Sequence, residues 1–266
     1  MQTVKQELKR WDNNEIIHSG NFKNIKELVE DAVKKRINLE YANLKNANLK
    51  NANLENASLE NASLRHTNLE KANLGYANLY DVNLKYASLE NANLKNVNLK
   101  NANLKNANLY DVNLKYANLK GADLYNADLE YANLENAILE YANLENANLR
   151  KANLKGADLE KANLKGADLY NADLEYANLY KANLHNAILD KANLKNANLD
   201  YSCMPLWCED LTAYYDDKQI IQQLYHVLSH VKYSDNCSEK LKDILLREDI
   251  KKLANEFHRV NECGEV

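Results

Sequence analysis

From Leu39 to Leu199 the chain places a leucine at every fifth position, thirty-three times in succession, without an insertion or a deletion. Two residues before each leucine stands alanine, or else Ile37, Thr67, Val82, Val97 or Val112, and the residue between them is most often Asn or Asp. A helical face needs apolar residues at i, i+3, i+4 and i+7, and a strand needs strict alternation. Here two apolar positions two apart are followed by a three-residue polar gap. The pair makes a very short strand, and the gap must turn a corner. A chain that turns every five residues in one sense coils into a solenoid whose short strands pair with the coil above, at roughly 4.8 Å spacing. The inward residues are then the leucines and the small residues, with Leu39, Ala42, Leu44, Ala47, Leu119, Ala122 and Leu199 as expected core positions.

The gap carries turn chemistry. The second residue after each leucine is Asn or Gly in 17 of the 33 repeats, Asn46, Asn51, Gly121, Gly156 and Gly166 among them, and these residues accept the positive φ of a type II turn. Elsewhere it is often Tyr (Tyr86, Tyr116) or Lys (Lys151, Lys161), which resist that geometry. Two turn types are therefore expected. No proline interrupts the array, so no ladder donor is lost.

Segments such as Ala42-Asn43-Leu44-Lys45-Asn46 and Gly121-Ala122-Asp123-Leu124-Tyr125 resemble the pentapeptide repeat family, over about three fifths of the chain. The resemblance implies a mainly β fold: a right-handed, four-sided parallel β-helix with four repeats per coil. Thirty-three repeats would then form about eight coils, a rod of about 40 Å at the parallel-strand spacing. So narrow a coil has room for one leucine and one small side chain per side. Alanine is thus a volume limit, and a bulkier residue there would overpack the core by about 1–3 kcal/mol.

Composition changes abruptly at the ends of the array. All four Cys, both Trp, both Phe, both Met and the single Pro lie before residue 37 or after residue 200. A β-helix leaves a strand edge and an apolar end at each terminus, which would template aggregation if bare, so residues 1–36 are expected to form an N-terminal cap and 202–266 a C-terminal one, flanking the β-helix at 37–201. Trp11 and Trp207 are candidate plugs. Val4 to Trp11 and Ile16 to Ser19 flank the turn-prone Asp12-Asn13-Asn14, which predicts a β-hairpin. Asn24 with Glu27 predicts a capped helix whose apolar stripe is Ile25, Leu28, Val29, Ala32 and Val33. In the C-terminal segment, helices are expected from Asp216, from Ser238 and through Ile250, Leu253, Ala254 and Phe257. A helical segment of this size needs a surface to pack on. The last coil supplies one, and a second copy of the chain, in a homodimer through this segment, supplies another.

Charge narrows the choice of partner. The array from 38 to 200 holds 18 basic and 20 acidic residues, the N-terminal part 8 and 6, and the C-terminal part 8 and 12. No part is strongly basic, so direct nucleic-acid binding is not expected. Some pentapeptide repeat proteins resemble DNA in size and negative charge and act on type II topoisomerases, conferring quinolone resistance. That role is the alternative here. It needs acidic columns along the rod, whereas residues 20 apart form a mixed one, Glu40, Glu60, Tyr80, Lys100, Lys120, Glu140, Glu160, Tyr180. Internal copying has moreover scrambled the sides: Leu119 to Leu134 recurs unchanged at Leu164 to Leu179, an offset of 45 that is not a multiple of twenty. On this reading the sides are generic spacer and recognition sits at the caps.

Cys203 and Cys208, with Cys237, Cys263, His226, His230 and His258, invite a zinc reading. The Cys-x4-Cys spacing is unusual for zinc, and His226 and His230 fall off the apolar stripe of their helix, so no metal site is expected and the thiols are read as free. No nucleophile elbow, phosphate loop or paired-carboxylate pocket is visible, and no cofactor is implied. Asn-rich sides could suggest ice or carbohydrate binding, but threonine is nearly absent from the array. With no signal peptide or apolar membrane run, the expectation is a cytoplasmic, bacterial, non-enzymatic protein-interaction or scaffolding module. Its protein partner is not named by the sequence. The candidate aromatic anchors are Trp207, Tyr214, Tyr215 and Tyr225.

Overall fold

The computed structural model describes residues 3–202 and, beyond them, 224, 228, 242, 243 and 245–255. The repeat array is a β-helical solenoid. Parallel bridges join residues twenty apart, from Asn43–Ser63 to Asn178–Asn198, so one coil takes four pentapeptides. The bridges are isolated rather than gathered into long strands because each side of the coil contributes only two or three extended residues before it turns.

In a repeat of the middle coils with Asn or Asp before the leucine, all five backbone N–H groups find acceptors, which is what a narrow coil with a dry interior favours. In the coil around Leu99, Leu99 N–H donates to Asn118 O at 2.7 Å, Asn98 N–H to Ala77 O at 3.0 Å, and Asn101 N–H to Lys120 O at 3.0 Å. Ala102 N–H closes the turn onto Leu99 O at 3.0 Å. The fifth N–H, of Lys100, donates to the side-chain Oδ1 of Asn98 at 3.2 Å. That last bond explains the Asn/Asp position, since a short side-chain oxygen can fold back onto the N–H two residues on. The Asn amide also donates to its counterpart below, Asn98 Nδ2 to Asn78 Oδ1 at 2.9 Å and Asn93 Nδ2 to Asn73 Oδ1 at 2.8 Å. Asp accepts in the same way but has no amide to pass on. Asp123 therefore receives Asn143 Nδ2 at 3.1 Å, and its other oxygen takes Lys105 Nζ at 2.9 Å.

The expectation of two turn types is overturned. All thirty-three corner residues, from Tyr41 to Tyr201, have φ between 51° and 68°, and all thirty-three turns are closed by the bond from the small residue's N–H to the preceding leucine carbonyl. Tyr, Lys, His and Asp corners adopt the left-handed conformation as fully as Asn and Gly. The reason is collective. The corner N–H must also reach a carbonyl of the next coil, and a different turn would lose that bond and rotate the neighbouring leucine out of the stack. The cost of about 1–2 kcal/mol at a non-glycine corner is outweighed by the register it preserves. At Gly166, with φ +65°, an added Cβ would lie 2.4 Å from Asn146 Oδ1. Gly166→Ala is expected to lower stability by about 1 kcal/mol or more, read from the urea midpoint.

The interior is one continuous apolar cluster. Leu39, Ala42, Leu44, Leu119, Ala122 and Leu199 are all buried in it. Ala47 is only partly buried and packs against the cluster. Thr67, the one polar inward residue, is buried and donates its hydroxyl to Leu44 O at 2.7 Å.

At the N-terminal end, β1 (Val4–Lys9) and β2 (Ile16–Phe22) form an antiparallel hairpin. Its continuation meets the first coil, with Asn43 N–H donating to Lys9 O at 2.7 Å and Trp11 N–H to Tyr41 O at 2.9 Å. The helix α1 (Ile25–Lys34) starts at Asn24, whose side chain accepts from Glu27 N–H, and buries Leu28, Val29 and Ala32 in the cluster that holds Leu39. Trp11 is not the plug. It is half exposed, and its indole N–H donates to the corner carbonyl of Asn61 at 2.7 Å. The apolar end is closed by Leu8 and the α1 stripe instead. Beyond the array, α2 (Glu248–Ala254) is helical, and Leu228 and Ala254 are buried in a small cluster with Leu224, Leu245, Leu246 and Ile250.

One contact in the cap is sensitive to pH. Asp31 of α1 accepts from Lys35 Nζ at 2.7 Å and lies 2.7 Å from His18 Nε2 of β2. The Lys35 bond first, then His18, hold its carboxyl below the usual range. A lowered folded-state pKa contributes stability that is complete above the unfolded carboxylate pKa of about 3.9 and is lost as pH falls through the folded value. Wild type and Asp31→Asn are therefore expected to differ in thermal midpoint at pH 6, with the difference shrinking as pH falls below the ordinary carboxylate range.

Candidate interaction surfaces

Residues twenty apart stack in columns along the corners, so the side chains after each leucine form the lateral surface. Several stacked opposite charges pair: Lys50 with Glu70 at 2.7 Å, Lys115 with Glu135 at 2.8 Å, Lys155 with Glu175 at 2.7 Å, Lys165 with Glu145 at 3.3 Å, and Lys120 with Glu140. The hydrogen bonds to these carboxylates push the Lys115, Lys120 and Lys155 ammonium groups up, and those from Lys50 and Lys120 pull Glu70 and Glu140 down. Corner tyrosines join in. Lys161 donates to Tyr141 Oη at 2.9 Å, Lys151 to Tyr131 Oη at 2.6 Å, and Arg150 lies 4.5 Å from the Tyr170 ring centre. Lys191 donates to Tyr170 Oη at 2.9 Å and holds that phenol below its ordinary value.

One column departs from this mixing. Lys45, Arg65, Lys85 and Lys105 stack in four consecutive coils, and of these only Lys105 meets a carboxylate among the described residues, Asp123. The linear sequence hides it, because Asn, Glu and Leu intervene. The signal was available by reading every fourth repeat together, which the sequence analysis did for a different corner.

Concave space is shallow. An open groove of about 360 Å³ lies between the hairpin and the first coil, lined by Arg10, Glu15, Ile16, Ile17, Ile37, Asn38 and Glu40. Arg10 is already engaged there with Asp12, at 2.9 and 2.8 Å, and lies 4.3 Å from the Tyr41 ring centre. The groove brings together no nucleophile and base. Among the described residues no group of three or more His, Cys, Asp or Glu is placed to hold a metal ion, and no helix is long and apolar enough to cross a membrane. The anchors Trp207, Tyr214, Tyr215 and Tyr225, the plug Trp207, and the cysteines and histidines weighed as zinc ligands lie outside the described residues.

A filled solenoid of five-residue repeats, with stacked corner columns as its outer surface, defines a β-helical repeat protein. The profile for pentapeptide repeats matches in eight copies, spanning 37–75 and 77–115, overlapping segments from 92 to 166, and 167–204. The chain belongs to the pentapeptide repeat family. Among solved structures it is similar to HetL from the cyanobacterium Nostoc sp. strain PCC 7120, a pentapeptide repeat protein involved in heterocyst differentiation regulation: 36% identity over 64% of this chain and 90% of that one, with a TM-score of 0.31. It is similar to a trypsin-treated form of QnrB1, a plasmid-mediated fluoroquinolone resistance protein, at 19% identity over 70% of this chain and 95% of that one, with a TM-score of 0.58. A third is a pentapeptide repeat protein of the Arabidopsis thaliana thylakoid lumen, at 29% identity over 45% and 87%, with a TM-score of 0.33. The QnrB1 likeness is one of fold. No curated protein matches the sequence.

Proposed function

We propose that this protein is a non-enzymatic protein-interaction or scaffolding module: a right-handed, four-sided rod of about eight coils, with a hairpin-helix cap at 1–36 and a helical segment at 202–266. The observation that carries the reading is the interior. Leucine and alanine fill it from Leu39 to Leu199, so the chemistry the array offers is that of its outer surface and its ends. Rigid repeat scaffolds of this kind suit extended contacts with other proteins. The C-terminal segment, with Trp207, Tyr214, Tyr215 and Tyr225 as aromatic anchors, is the proposed partner or homodimer contact, and the cytoplasm is the proposed compartment.

The test compares the full chain with a version ending at Tyr201, each used to capture partners from bacterial lysate and each sized by light scattering. A partner or dimer lost on truncation supports recognition at the C-terminal end. One retained by the truncated rod counts against it and directs attention to the sides. A second reading, modulation of a type II topoisomerase, draws on the fold likeness to QnrB1. The mixed column from Glu40 to Tyr180 weighs against a phosphate-like surface. Inhibition of gyrase supercoiling at micromolar protein or below would reverse that preference.

A further inference from the structure

We propose that the column Lys45, Arg65, Lys85 and Lys105 is a docking stripe for an extended acidic segment of a partner protein. Elsewhere on the rod no more than two cations stack in succession, as at Lys95 and Lys115 or Lys100 and Lys120, and stacked carboxylates pair with several of them. Here four cations follow one another at about the 4.8 Å coil spacing, close enough to repel, and Lys45, Arg65 and Lys85 have no ion-pair partner among the described residues. Arg65 adds an independent sign. Its Nε is buried with no hydrogen-bond acceptor among the described residues, so no group of the rod offsets that part of the guanidinium charge.

The surroundings choose among polyanions. At the same coils the neighbouring corners carry Glu40, Glu60 and Asp81 with Lys100 on one flank, and Glu70, Glu90 and Asp111 with Lys50 and Lys71, both paired to Glu70, on the other. The stripe is therefore bordered on both sides by corners that are net acidic. A duplex or a membrane would lay phosphates over the acidic flanks. A single nucleic-acid strand would need open aromatic faces for its bases, but the His66 and Tyr86 rings beside the stripe stack on each other, 4.9 Å apart at 13°, and the Lys85 ammonium sits 5.0 Å from the Tyr86 ring centre. An extended peptide fits the stripe in width and length. Carboxylates on alternate residues of one face recur every 6.8 Å or so, so three of them span about 14 Å, as do four cations one coil apart.

This inference rests on the reading of the rod as a protein-binding scaffold, but its assay needs no cellular partner, so the two fail separately. The probe is a fluorescent peptide of alternating Glu and Ser, titrated by anisotropy into the full-length protein at low ionic strength. Saturable binding is expected, weakened at least tenfold by Lys45→Gln/Arg65→Gln/Lys85→Gln and again by the corresponding Glu variant. Lys95→Gln/Lys155→Gln/Lys195→Gln, an equal charge change on the opposite column, should shift it less than twofold. Circular dichroism and thermal midpoints confirm that each variant is folded. An absence of saturable binding, an equal loss in the control variant, or tighter binding of a twelve-nucleotide oligothymidylate or of anionic phosphatidylserine vesicles than of the peptide would overturn the proposal.

Discussion

Leu119→Ala is expected to destabilise the protein by about 2–5 kcal/mol, among the largest effects of any single truncation. Leu119 is fully buried in the middle of the rod, and its stack neighbours Leu99 and Leu139 are equally buried. They cannot close over the gap, because the backbone of each is held by a ladder bond to the next coil, Leu99 N–H to Asn118 O at 2.7 Å and Leu139 N–H to Asp158 O at 2.6 Å. The removed atoms therefore leave a cavity rather than a collapsed site. In a solenoid, stability is close to a sum over neighbouring coils, so position matters. A cavity at the centre interrupts coupling between two halves, whereas Leu199→Ala in the last coil should chiefly increase fraying and cost less. Urea unfolding followed by circular dichroism measures both. Equal losses at Leu119 and Leu199 would show that the rod unfolds as one indivisible unit and sink the coil-by-coil description.

Much of this architecture was legible because one register carries it. The five-residue spacing of leucine dictates which side chains point inward, and burial of Leu39, Leu44, Leu119 and Leu199 follows from that spacing alone. The work of the Asn or Asp before most leucines, one bond to the N–H two residues on and an amide ladder between coils, needed geometry. The corners were misread for a physical reason. Residue preference predicts a different turn for Tyr86 or Lys151, yet both sit in the left-handed region at φ 61° and 56°, because ladder bonds made by neighbouring coils override a local cost of this size. Trp11 was misplaced because size and apolarity suggest a plug, while its indole N–H, a strong donor that seeks an acceptor, is satisfied by a corner carbonyl on the outside. The cationic column was legible as well: with twenty residues per coil, as the family resemblance implies and the bridges show, Lys45, Arg65, Lys85 and Lys105 line up, but only the column from Glu40 to Tyr180 was read in that way.

Removal of residues 1–36 is expected to convert the protein from a discrete species into soluble oligomers or aggregate. The cap does two things at once. Leu8, Leu28 and Val29 are at most 1% exposed within the rod's own apolar cluster, and burial of side chains of this size contributes about 1.5–3 kcal/mol each. The hairpin also occupies backbone groups of the first coil, through the Lys9–Asn43 and Trp11–Tyr41 bonds. Without it, the first coil would present Leu39, Ala42 and Leu44 beside unpaired strand groups, the combination that templates edge-to-edge association. The two contributions can be separated. Leu28→Asp leaves the hairpin bonds in place but puts a charge into the apolar contact, so it should lower the thermal midpoint markedly and expose dye-binding surface with less association than the full deletion. Light scattering and thermal unfolding of both variants decide the matter. A truncated protein that stays the size of the wild type, with an unchanged midpoint, would mean that the coils close their own end and that the hairpin and helix serve some purpose other than capping.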